Sequence, residues 1–209
     1  LLISVNFYIF ENTFFTGDQI GRSAFTIPYL DGSLSISRAS RTFPQYLLFK
    51  PGMIVTAVLL SFYWYKNNIL INHFKNTNLK KNNFMIFGIL SAVFLILHSI
   101  LLGLETDIKI FKFLRRVILV SFIIFEIIAQ SMLVMNFYKL KKELKEFFHP
   151  NILKLKILLV SILIFVAIIS IPLLVMSGNI HFKHGLEWNY FIGVIFFYLL
   201  TSLFWKKIS

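Results

Sequence analysis

A chain of 209 residues that is 57% hydrophobic, with 25 phenylalanines and a mean hydropathy of +0.77, carries more hydrocarbon than a soluble domain of this size can bury, so the class is integral membrane protein. The formal net charge of +12 is concentrated in short tracts between apolar runs. That pattern marks membrane topology and argues against a nucleic-acid partner. The absence of cysteine excludes disulfides, thiolate zinc sites and a cysteine nucleophile.

The first apolar run, LLISVNFYIF, has about half of the roughly 20 residues that cross hydrocarbon. It is read as part of a first helix over 1–10, not as a signal peptide, because neither a basic start nor a small-residue cleavage site is present. A polar segment over 11–45 follows. Pro28, Asp31 and Gly32 are turn formers, Ser33, Ser35 and Ser37 alternate, and Pro44 and Pro51 punctuate the approach to the next run. The expectation is a short extended segment or a compact loop lying over the outer mouth of a bundle. Arg38 and Arg41 are suited to forked hydrogen bonds with phosphate head groups, pairing with Asp31 being the equal alternative, and Lys50 is placed to snorkel.

Five further runs over 46–65, 84–104, 114–138, 157–176 and 185–205 are each of spanning length. In lipid the backbone must satisfy its own hydrogen bonds, and these runs lack the alternation of barrel strands. The predicted fold is all-α, a single domain over 1–209, a polytopic transmembrane bundle of about six helices with the first incomplete. Lys66, Lys75, Lys80 and Lys81, then Lys139, Lys141, Lys142, Lys145, Lys154 and Lys156, then Lys206 and Lys207 fall on one face of such a bundle. The positive-inside rule makes that face cytoplasmic, with both termini on it. The tract KLKKELKEFFHP is read as a basic loop, with an interfacial helix on anionic lipid as the alternative.

Ionisable residues inside membrane helices are costly, face the bundle interior and need partners. Glu126 lies near the middle of the fourth helix, with Gln130 one turn along the same face. Arg115 is too far along the axis to reach it, and His98 in the third helix is its expected partner. Glu187 and Trp188 open the last helix at about the depth of Arg115 and Arg116, and an ion pair there ties the fourth and sixth helices together. His181 and His184 share a helical face but lack a third ligand, so neither a metal nor another cofactor is expected. Serine beside histidine in Leu97-His98-Ser99 makes no triad, because adjacent helical residues point apart. There is no HExxH, P-loop, dinucleotide fingerprint or GxSxG pattern.

The order of these residues resembles the Frag/DRAM/Sfk family of six-helix membrane proteins, which includes a post-GPI-attachment lipid-remodelling factor. The resemblance rests on Pro28 to Ser35 and Pro44 to Phe49 ahead of the second helix, His98 in the third, and the Glu187-Trp188 pair opening the sixth. It implies a non-catalytic role in lipid remodelling, trafficking or scaffolding, and supplies no catalytic set. The resulting expectation is a non-enzymatic membrane protein that organises lipids or partner proteins, or an accessory subunit of a larger complex. Ser33, Ser35, Arg38, Arg41, Arg115, Arg116, Glu187 and Trp188 are its contact residues. The alternatives are a lipid-remodelling enzyme using His98 or Glu126 as general base, and a small transporter or channel lined by Glu126 and Gln130.

Overall fold

The computed structural model describes residues 27–36, 40, 45–74, 83–102, 109–175 and 178–206. A short helix α1 (Pro28–Asp31) precedes five long ones: α2 (Gln45–Phe74), α3 (Phe84–Leu101), α4 (Lys109–Lys139), α5 (Pro150–Val175) and α6 (Ile180–Phe204). The fold is an all-α bundle, and all five long helices are long and apolar enough to cross a membrane, as expected of a multi-pass integral protein. The first run, over 1–10, lies outside the described residues.

Each helix buries a narrow stripe and exposes the rest of its apolar surface, as lipid permits. On α2 the buried stripe is Ala57, Leu60, Trp64, Asn67 and Ile71, at steps of three and four, while Val58, Leu59, Phe62 and Ile69 face outward. On α3 the stripe includes Gly88, Ser91, Ala92 and Ser99, small residues that let α2 and α4 approach closely. Gly88 is required there, since a Cβ would run into the indole of Trp64. A similar approach joins α5 to α6, where a Cβ on Gly193 would stand 2.6 Å from Leu163 Cδ2.

Four of the five long helices extend beyond the hydrophobic runs, while α3 ends at Leu101, short of the expected 104. α2 continues nine residues past 65, α4 begins at Lys109 instead of 114, α5 at Pro150 instead of 157, and α6 at Ile180 instead of 185. Polar and basic ends stay helical because the helix pairs its own amides, and long cationic side chains reach water from the rim. Pro150 starts α5 cleanly, since the first helical residue needs no amide hydrogen; the carbonyl of His149 accepts from the amides of Ile152 (3.1 Å) and Leu153 (3.2 Å).

Between α4 and α5 the basic tract is a run of hydrogen-bonded turns that packs into the core. Leu140, Leu144 and Phe148 are buried while Lys141, Lys142 and Lys145 are exposed. His149 N–H donates to Phe204 O (3.0 Å), Lys206 N–H to Phe147 O (2.9 Å), and Phe148 bridges Trp205, so the tract is stitched to the end of α6. Phe148 stacks on Phe204 at 4.8 Å, with Phe137 5.0 Å from the same ring. This is the lysine-rich end of the bundle; α1 sits on α6 at the other, capped end.

Candidate functional site

The capped end is built on backbone carbonyls. Asp31 closes α1 by accepting from the amides of Ile27 (3.0 Å) and Ser33 (2.7 Å). Gly32 then turns left-handed, φ 60, and its amide donates to Pro28 O at 3.0 Å. The turn presses against α6 so closely that a Cβ on Gly32 would collide with the His181 carbonyl. Gly32 O lies 3.2 Å from His181 Nδ1 and 3.1 Å from His184 Nδ1. A carbonyl only accepts, so each Nδ1 carries the hydrogen. Trp188 Nε1–H donates to Leu34 O at 2.8 Å and Asn189 Nδ2 to Tyr29 O at 2.9 Å. The two histidines thus latch a turn, and among the described residues no three His, Cys, Asp or Glu side chains converge as metal ligands.

Ser35 and Trp188 are buried in this cap, and the Ser33 hydroxyl is buried with no hydrogen-bond partner among the described residues. Beneath the cap lies a cavity with about 40 Å³ of space for water-sized groups, lined by Ile36, Phe49, Leu95, His98, Phe122, Glu187 and Tyr190, among others. His98 and Glu187, far apart in sequence, therefore share one chamber. Beside it a larger groove of about 580 Å³ opens between α5 and α6. Its walls are Leu159, Ile162, Leu163 and Val166 on α5 and Leu186, Ile192, Gly193 and Phe196 on α6, with Tyr29, Asp31 and His181 at its head. Arg115 on α4 holds its guanidinium 5.6 Å from the Phe111 ring of its own helix, and Arg116 is exposed. Arg38 and Arg41 lie outside the described residues.

Glu126 has a different setting from the expected one. Its carboxyl meets Ser91 Oγ of α3 (2.6 Å), Gln130 Nε2 (3.0 Å) and the Tyr198 hydroxyl of α6, and is fully buried. The partner on α3 is Ser91, two turns from His98 and ten residues from the end of α3 at Leu101, whereas His98 is only three residues from that end, too shallow to meet the middle of α4. The Gln130 contact follows the i, i+4 reading.

Lys156 is the larger departure. Counted among the loop lysines, it is completely buried on α5, six residues or about 9 Å beyond Pro150. Nζ lies 2.6 Å from Thr201 Oγ1, with the rings of Phe197 and Phe204 at 4.1 and 5.3 Å. Thr201 Oγ1 also lies 3.5 Å from the hydroxyl of Tyr63, whose ring packs edge-on against Tyr198 at 5.1 Å. A signal for Lys156 was present: it continues the stripe Leu153, Val160, Leu163 at steps of three and four. Tyr63, Tyr198 and Thr201 carried none, since an aromatic or threonine near a helix end is ordinary interfacial composition.

Comparisons with protein-family models, curated proteins and solved structures return no match.

Proposed function

We propose that the protein is a non-catalytic membrane organiser that holds lipid, or a membrane partner, at its capped end. The observation carrying this reading is the groove of about 580 Å³ between α5 and α6, apolar along its walls and headed by the latched turn with Asp31 and His181. Its volume lies in the range of small-molecule sites, and its side opens where acyl chains lie. The same reading accommodates an accessory subunit of a larger complex, whose neighbour would cover the groove.

The resemblance to the Frag/DRAM/Sfk family supports it, and we propose membership. Its residues gather at one place: Leu34 bonds Trp188, and Phe49, His98 and Glu187 line one chamber. The lysine-rich end is proposed to be cytoplasmic. Because the chain has no cysteine, single cysteines introduced at Lys142 and Asn179 report sidedness directly. The test of the organiser reading is lipid and protein analysis of the purified protein beside its Val166→Trp variant, which fills the groove. Enrichment of a lipid class or a defined protein, reduced severalfold in the variant, is expected. Bulk-membrane lipid composition with no partner removes the reading.

A second reading, lipid remodelling with His98 as general base, is favoured by one observation: His98 shares its chamber with Glu187. Glu126, enclosed by three donors, is the poorer candidate for that base. Lipid profiles after His98→Ala discriminate, and an unchanged profile eliminates it.

A further inference from the structure

The groove between α5 and α6 has a direction as well as a volume. α5 rises from the lysine-rich end and α6 descends from the cap, so Val166 and Leu186 stand near the groove head. Leu159 and Phe196 stand about 10 to 15 Å further down their helices. An amphiphile entering it would lie with its head group at the cap and its chain parallel to the helices, as in a leaflet. The chemistry of the groove head then decides which head group fits.

The side-chain donors there are already in use. Asn189 Nδ2 donates to Tyr29 O at 2.9 Å and to Gly185 O at 2.8 Å, which takes both amide hydrogens. His181 spends its Nδ1 hydrogen on Gly32 O, and the Tyr190 hydroxyl donates to Leu163 O at 3.2 Å. What these residues still offer is acceptors: Asn189 Oδ1 and the bare Nε2 of the neutral His181 ring. Asp31 adds a carboxylate, of whose roughly four acceptor positions the Ile27 and Ser33 amides take two. Asp31, His181 and Asn189 are all exposed, at the level where a head group lies. Among the described residues that line the groove, Asp31 is the one carboxylate, and there is no lysine or arginine. The head is therefore acceptor-rich and negative.

We propose that this groove head selects a phospholipid with a primary ammonium, that is, phosphatidylethanolamine. The inference rests on the reading of the groove as a lipid site and adds the class of lipid. Three N–H groups match the acceptors of Asp31, His181 and Asn189 in number, and the ammonium charge offsets that of Asp31. Choline carries the same charge but no N–H. A glycerol or sugar hydroxyl donates but leaves the carboxylate uncompensated, and an anionic lipid sets a second negative charge beside it. The phosphate that accompanies the ammonium is favoured by the N-terminus of α6, which lies at the same end.

The test offers the full chain, purified in detergent, an equimolar mixture of five dioleoyl lipids. These are phosphatidylethanolamine, its N-methyl and N,N-dimethyl forms, phosphatidylcholine and phosphatidylglycerol; lipid retained after washing is counted by mass spectrometry. The N-methyl series removes one N–H at a time at constant charge and leaves the protein untouched, so it decides on the wild type alone. Retention should fall about twofold or more with each N–H removed, the lower bound of one net hydrogen bond, with phosphatidylglycerol last. Asp31→Asn keeps an oxygen for the Ser33 amide and removes the charge. It should raise phosphatidylglycerol to the level of phosphatidylcholine, with hydrogen exchange over 27–36 reporting on the cap. Val166→Trp should lower retention of all five lipids severalfold. Equal retention along the N-methyl series, or phosphatidylglycerol at or above phosphatidylethanolamine in the wild type, overturns the selection; if Val166→Trp still lowers retention, the groove reading survives it. Retention of no lipid, or a wild-type profile in Val166→Trp, overturns both.

Discussion

At the capped end, four side-chain bonds from α6 reach the carbonyls of Tyr29, Gly32 and Leu34, whereas the lysine-rich end is closed by Phe137, Phe148 and Phe204 stacked below Lys156. A carbonyl latch reads backbone shape, so it constrains the identity of few cap residues, Gly32 foremost. An aromatic floor reads side-chain volume and is continuous with the core that α2 to α6 share. Damage to the floor should therefore spread through the bundle, while damage to the cap should stay at the cap.

Phe148→Ala breaks the comparison hardest. Phe148 is 1% exposed and stacks on Phe204, so truncation leaves a cavity where α4, α6 and the basic tract meet. A cost of about 3–5 kcal/mol is expected for a buried phenylalanine. The measurement is thermal unfolding with hydrogen exchange: protection should fall across 140–149 and the end of α6 while the cap amides keep theirs. Equal loss at both ends would show that the two regions are one unit.

Gly32→Ala reverses the pattern at a smaller cost. A left-handed φ of 60 and collision of the new Cβ with the His181 carbonyl together disfavour the latched turn by about 1–3 kcal/mol. Faster exchange and proteolysis within 27–36 are expected, with the unfolding midpoint of the five long helices nearly unchanged. A midpoint drop matching that of Phe148→Ala would make the cap part of the core.

The two regions also differ in how far the sequence exposed them. Hydropathy located all five long helices, because lipid demands an unbroken apolar run whatever the packing. It misplaced their ends, since Lys66, Lys109 and Lys154 belong to helices whose polar tips leave the hydrocarbon. The partner of Glu126 was misjudged by depth: His98 is three residues from the end of α3 at Leu101, too shallow for a residue at the middle of α4, and the carboxyl meets Ser91 instead. Turn formers at Pro28, Asp31 and Gly32 marked a cap that either runs extended or folds compactly, and over 27–36 it is compact; Trp188 stood near the start of the apolar run over 185–205, on the same side. What the cap rests on was not legible, because a carbonyl acceptor leaves no trace in side-chain composition. Lys156 was visible through its stripe but was outweighed by the five lysines counted with it, Lys139, Lys141, Lys142, Lys145 and Lys154, which are solvent-exposed.

Trp188→Phe is the mildest and most discriminating change. It keeps most of the buried ring and removes the hydrogen donated to Leu34 O at 2.8 Å, leaving the histidine latches at Gly32 and the Asn189 bond to Tyr29 in place. One neutral hydrogen bond contributes about 0.5–1.5 kcal/mol net, so the cap should open more often without leaving α6. Hydrogen exchange should then quicken about 2- to 13-fold at 33–36, the range that corresponds to that energy, and less at 29–32, where the remaining bonds lie. Uniform quickening across 27–36 would mean that the latch releases as one cooperative piece. In that case lipid or partner binding at the groove head should weaken in proportion, since Tyr29 and Asp31 would leave together with Leu34.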